Sequence, residues 1–129
     1  MARYLVAGSQ PLHGSTKLPG AKNAVTKLLI ASLLSDEITT LHNYPEILEI
    51  DLTIRLLRSF GAKIEKIEHG SLTIQRGSGF TNHIPAEEAS HNRMAVLTVA
   101  PLLHCFKTVS LPKNMGGDKI GPRPIDFHL

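Results

Sequence analysis

The apolar positions of this chain change period along its length, and each change predicts an element. Residues 4–7 and 12–18 carry β-type side chains separated by Gly8, Pro11 and Gly14, which predicts two short strands joined by a turn. Pro19 and Gly20 break that pattern. Over 21–35 two rows, Ala24, Leu28, Ala31, Leu34 and Val25, Leu29, Ser32, recur at three and four residues, the period of a largely buried amphipathic helix. Alternation over 37–41 predicts a strand, closed by a turn at 43–45. The stripe Ile50, Ile54, Leu57 with Leu52, Leu56, Phe60 predicts a second helix, with Asp51 in its first turns, where negative charge suits the helix dipole, and Gly61 as its stop. Residues 62–67 and 71–75, split by His69 and Gly70, predict a β-hairpin. After the polar stretch 76–83 a third helix is predicted over 87–103, with Met94, Leu97, Pro101 and Val96, Val99, Leu103 inward and Pro101 kinking or ending it. A strand over 107–111 then leads to Pro112 and a glycine-rich tail.

Composition adds bounds to this picture. The chain has 129 residues, 42% of them apolar, the size of one soluble globular domain. Eight prolines and ten glycines without a period exclude a coiled coil or a collagen-like rod. The net charge of +3 is scattered, and with no Trp and two Tyr there is neither a basic block nor a stacking platform for nucleic acid, so small anionic ligands fit better. The longest apolar stretch, 28–34, is interrupted by Ser32 and is far shorter than the roughly 20 residues of a membrane helix. With no targeting segment at the N-terminus, the expectation is a cytoplasmic protein without membrane insertion. Cys105 is the only cysteine and closes an apolar run, the position of a buried small hydrophobe. An intrachain disulfide is impossible, in keeping with a reducing compartment.

Candidate chemistry concentrates at three places. In the tail, GGDKIGPRPIDFHL over 116–129, Asp118 stands among glycines with Lys119 beside it, Arg123 lies between Pro122 and Pro124, and Asp126 follows. Glycines let backbone approach a ligand, and prolines fix the direction in which the arginine is presented. Aspartate is also a common turn residue; as a general acid it would have to hold its proton well above its reference pKa of about 3.9, as closure over a dianionic substrate would favour. The second place is Lys22 in PGAKNA. A lysine at a helix N-terminus opposes the dipole unless an anion sits there; the alternative is a solvated surface lysine. The third is Arg93, among Glu87, Glu88, His91 and Asn92, either a ligand group or one half of a surface ion pair with Glu88. A weak repeat at a spacing of about 70 residues relates the helix at 24–34 to the one at 94–104 and aligns Asn23 with Arg93. The seven histidines show no paired spacing and the lone cysteine no CxxC, so no metal site and no cofactor are predicted.

PGAKNA at 19–24, DLTIRLLRSFGAKIE at 51–65, Arg93 leading MAVLTVAPLL, and GGDKIGPRPIDFHL occur in one order. Together they resemble the N-terminal part of the UDP-N-acetylglucosamine 1-carboxyvinyltransferases, a branch of the enolpyruvyl transferases. The Lys-Asn after PGA and the run RPIDFH are similar to that branch rather than to the 3-phosphoshikimate branch. The resemblance implies an α/β (α+β) fold, part of an inside-out α/β barrel built from βαβαββ repeats. Residues 1–20 would be strands belonging to the family's other domain, and 21–129 an incomplete domain of one full repeat and part of a second. It implies transfer of the enolpyruvyl group of phosphoenolpyruvate to the sugar 3-hydroxyl of UDP-N-acetylglucosamine, with release of phosphate. Lys22, Asn23 and Arg123 would bind phosphoenolpyruvate; Asn23, Arg93, Arg123, Pro124, Ile125, Asp126 and Phe127 would bind the sugar nucleotide. Asp118 would be the proton donor, where most members carry a cysteine that is alkylated by fosfomycin, so resistance to that inhibitor is expected. Members are much longer chains whose general base lies further on, so this chain alone is expected not to turn over. The alternative is a noncatalytic remnant or nucleotide-binding module of the same fold, or a relative of the 3-phosphoshikimate 1-carboxyvinyltransferases. The incomplete domain would expose apolar surface, which favours self-association.

Overall fold

The computed structural model describes residues 3–8, 11–68, 70–113, 115 and 116. The first element is α1 (Lys22–Ala31), extended by a 3-10 turn at Ser32–Leu34. Only one of the two expected rows is covered: Val25, Leu29 and Ser32 are buried, with Thr26, Ile30 and Leu33 beside them, whereas Leu28 and Leu34 are each 50% exposed. The helix is therefore one-sided. Strand β1 (Thr39–His42) follows, and Asn43, in the left-handed region at φ 58°, turns the chain towards α2 (Leu48–Ser59).

Helix α2 forms as its pattern requires. Glu49 and Asp51 lie in the first turn and Arg58 in the last, each placed favourably in the dipole. Ile50, Ile54, Leu56, Leu57 and Phe60 are buried. Gly61 ends the helix at φ 95°, a conformation that favours glycine, and its N–H donates to the Arg58 carbonyl at 2.9 Å. The chain then forms the hairpin β2 (Ala62–Glu68) and β3 (Ser71–Arg76). Strand β3 is central in the order β1-β3-β2, and both pairings are antiparallel, with Ile64 opposite Ile74, Leu41 opposite Leu72, and a bulge between Lys66 and Glu68. Ala62, Ile64, Leu72 and Ile74 point into the core shared with α1 and α2. The result is two layers, helices on one face of a small sheet. The order α-β-α-β-β is the expected repeat without its first strand.

Several expectations fail. Residues 3–8 and 11–20 form no strand: Tyr4, Leu5, Val6, Leu12 and Leu18 are between 78% and 94% exposed, and no described strand offers them a ladder partner. The helix predicted over 87–103 is three pieces, α3 (Ala86–His91), a 3-10 segment at Arg93–Thr98, and α4 (Val99–Phe106). Asn92 interrupts it in an extended conformation. Pro101 does not end α4, in which it is the third residue. The strand predicted over 107–111 is reduced to a single parallel bridge between His83 and Ser110; Lys107, left-handed at φ 65°, ends α4, and the segment meets a loop rather than the sheet. Cys105 is only partly buried, and its sulfur accepts a hydrogen bond from the Arg76 guanidinium, which also pairs with Asp36. No helix among the described residues is long and apolar enough to cross a membrane.

Candidate active-site cavity

The loop before α1 and the turn after β1 are tied together: the Gly20 N–H donates to the Asn43 carbonyl at 2.8 Å. This brings the first residue of α1, Lys22, beside the first turn of α2. The Lys22 ammonium pairs with the Glu49 carboxylate at 2.7 Å. Helix α1 has no acidic residue in its own first turn and no side-chain cap, so the anion that offsets a cation at this dipole end comes from the neighbouring helix. Lys22 is half exposed but ion-paired, unlike a freely solvated surface lysine.

Asn92 builds the opposite side. It is 4% exposed, and its side-chain oxygen accepts from the Met94 N–H at 2.8 Å, capping the 3-10 segment that Arg93 begins. Its amide nitrogen donates to the Thr53 hydroxyl at 3.0 Å, and that hydroxyl donates to the Glu49 carbonyl at 2.8 Å. Thr53 is fully buried. A continuous line of hydrogen bonds therefore runs from the residue that holds Lys22 to the residue that precedes Arg93, which fixes the spacing between the two cations.

Between them lies a cavity of about 410 Å³, lined by Lys22, Glu49, Leu52, Ser90, His91, Asn92 and Arg93. Among the described residues Glu88 pairs with Arg55 at 3.0 Å, and no ion pair involves Arg93; of the two alternatives for Arg93, the surface ion pair with Glu88 is not formed. Asp51 pairs with Lys66 at 3.2 Å, outside this lining, and that hydrogen bond holds the Lys66 ammonium above its ordinary range. The cavity thus combines one ion-paired cation, Lys22, and one, Arg93, without an ion pair among the described residues, with hydroxyl, imidazole and amide groups. Phosphate and carboxylate groups are the ligands that suit such a lining.

Two predicted site residues, Lys22 and Arg93, come together here although they are far apart in sequence. Asn23 does not line the cavity; it is exposed, and its carbonyl accepts from the Lys27 ammonium at 2.9 Å. Asp118, Arg123, Pro124, Ile125, Asp126 and Phe127 lie outside the described residues. The start of their loop is placed, however. The Gly116 N–H donates to the Ala89 carbonyl at 2.7 Å, and a Cβ at Gly116 would stand 2.0 Å from the Ser90 carbonyl oxygen. Only glycine permits this approach, and it sets the loop's first residue against the 90–92 edge of the cavity. Glu49, Leu52, Ser90, His91 and Asn92 were not singled out as site residues by their pattern. The one signal was Glu49 in the first turn of α2, in the same helix region as Asp51.

The architecture and cavity define a class that comparison with known proteins makes explicit. The family described as EPSP synthase (3-phosphoshikimate 1-carboxyvinyltransferase) matches residues 6–129, and the chain belongs to that family. Within it, the chain is similar to the UDP-N-acetylglucosamine 1-carboxyvinyltransferase of Gluconacetobacter diazotrophicus, 40% identical over the whole of this chain and 31% of the relative. It is also similar to the enzyme of that name from Chlamydia pneumoniae, 41% identical over 96% of this chain and 27% of the relative. The chain therefore spans less than a third of the length of these curated relatives. Among solved structures, the enolpyruvyl transferase NikO from Streptomyces tendae shares the fold, with a TM-score of 0.67 at 18% identity over 74% of this chain and 22% of its own. The α/β fold is thus part of an enolpyruvyl-transferase fold.

Proposed function

We propose that this chain carries the N-terminal part of an enolpyruvyl transferase site that joins phosphoenolpyruvate to the 3-hydroxyl of UDP-N-acetylglucosamine, the first committed step of peptidoglycan synthesis, in the cytoplasm. The observation that carries the reading is the cavity in which Lys22 and Arg93 face a common space. Relatives at 40–41% identity bearing the sugar-nucleotide name support the choice of acceptor. Residues 1–20 belong, on this reading, to a second domain, and 21–129 to an incomplete first one.

Chemically, the methylene carbon of phosphoenolpyruvate takes a proton while the sugar 3-oxygen gives up its hydroxyl proton to a base and bonds to the adjacent carbon. Loss of a methyl proton with departure of phosphate restores the double bond. Lys22 and Arg123 neutralise the charge of phosphoenolpyruvate and of the phosphate as it departs, with Asn23 beside Lys22 at the ligand. Arg93 and the run Arg123, Pro124, Ile125, Asp126, Phe127 hold the sugar nucleotide. Asp118 delivers the proton. A carboxylate at that position is a poorer nucleophile towards an epoxide than a thiolate, so fosfomycin forms no adduct. The base for the second proton is not assigned to this chain, which alone releases no phosphate. Exposed apolar residues in segments 3–8 and 11–20 make self-association part of the same proposal.

Calorimetry tests the acceptor assignment. UDP-N-acetylglucosamine binds the chain, shikimate 3-phosphate does not, and Arg93→Ala weakens the first. Preference for shikimate 3-phosphate would overturn it, and binding of neither would favour a remnant that keeps only the fold.

A further inference from the structure

Resting on that reading of the cavity, we propose that Glu49 is an internal counter-ion that competes with the anionic ligand for Lys22, so that phosphoenolpyruvate binds by taking Lys22 from Glu49. The pairing is direct, at 2.7 Å, and its geometry is specific to Glu49. Asp51, two residues on in the same turn, is pledged to Lys66 outside the cavity lining, and Glu88 is held by Arg55. The carbonyl of Glu49 is anchored by the Thr53 hydroxyl at 2.8 Å. The backbone is thus fixed, and releasing Lys22 requires only a rotation of the Glu49 side chain, which is partly exposed. A carboxylate at this distance cannot share the ammonium with an incoming phosphate without like-charge repulsion. Either the ligand displaces it or the ligand binds weakly. Glu49 therefore sets the affinity for the donor and keeps Lys22 oriented along the cavity before the donor arrives.

The test is calorimetric titration of the intact chain with phosphoenolpyruvate, comparing Glu49→Gln, Asp51→Asn, Lys22→Ala and the double variant Glu49→Gln/Lys22→Ala. Glutamine keeps the size and a hydrogen-bond acceptor for Lys22 while removing the charge, so the fold is retained. Glu49→Gln binds about two- to tenfold more tightly than the wild type, Asp51→Asn leaves the affinity unchanged, and the double variant is as weak as Lys22→Ala. Unchanged or weaker binding by Glu49→Gln overturns the proposal, as does an equal gain in Asp51→Asn, which would make the effect one of overall charge. If Glu49→Gln fails in this way while Lys22→Ala still loses affinity, Lys22 remains the donor's ligand. Equal binding by all the chains removes that assignment as well.

Discussion

Replacing Asn92 with alanine removes two hydrogen bonds from a residue that is 4% exposed: the cap to the Met94 N–H at 2.8 Å and the bond to the Thr53 hydroxyl at 3.0 Å. Loss of an N-cap costs about 1 kcal/mol. Loss of the second bond costs about 1 kcal/mol more. Thr53 is not orphaned, because its hydroxyl still donates to the Glu49 carbonyl, so the larger penalty for a buried unsatisfied group does not apply on that side. The expected destabilisation is about 2 kcal/mol. Thr53→Val differs: it leaves the Asn92 amide nitrogen buried without its acceptor, a penalty of about 1–3 kcal/mol, with little change of shape. Because the two residues share one bond, the double variant should fall short of the sum of the singles by about 1 kcal/mol. Urea denaturation of the four chains measures this, with midpoints shifting at constant slope. A cost below about 0.5 kcal/mol for Asn92→Ala, or strict additivity with Thr53→Val, would show that the break in the third helix is set by something other than this hydrogen-bond line.

Three further outcomes follow from single sites. Gly61→Ala must adopt φ 95° and place its Cβ 2.4 Å from the Gly79 carbonyl oxygen; it destabilises the fold by at least about 1–2 kcal/mol, measurable as a lowered urea midpoint. Tyr44→Phe deletes a buried hydroxyl that has no hydrogen-bond partner among the described residues, so thermal unfolding should show a neutral change or a gain of up to about 1 kcal/mol, and a clear loss would reveal a partner. Asp51→Asn lowers the Lys66 pKa towards its ordinary value, since the Asp51 hydrogen bond is the main cause of its upward shift. A raised folded-state pKa contributes stability below the unfolded value of about 10.4 that is lost as pH rises through the folded one, and for this exposed pair it is worth no more than about 0.5 kcal/mol. NMR titration of the Lys66 ammonium, and of stability between neutral and alkaline pH, checks both.

How much of this was legible in the residues depended on the range of the interactions that decide each element. Helix α2 and the hairpin β2–β3 follow from local periodicity, dipole charges and the glycine at 61, and they formed as expected. The third helix did not, because apolar spacing cannot reveal that Asn92 finds a better partner in Thr53, distant in sequence, than in its own helix. The strands at 4–7 and 12–18 have strand-like composition, but a strand exists only with a neighbour, and none of the described strands supplies one. Lys22 was singled out by its position at a predicted helix start, Arg93 by its polar neighbours and the weak 70-residue repeat, and both by family resemblance. Glu49 was missed for a different reason. An acidic residue in a first helical turn has a sufficient local explanation in the dipole, and only the packing of α1 on α2 shows that it also faces Lys22.

On the proposed reading, Lys22 and Arg93 share one anion-binding cavity. The most direct measurement is a proton–nitrogen correlation spectrum of the chain titrated with phosphoenolpyruvate. Saturable shifts are expected at Lys22, Glu49 and the 90–93 segment, abolished by Lys22→Ala. Shifts confined to other surfaces, or shifts at these residues that persist unchanged in Lys22→Ala, would contradict it.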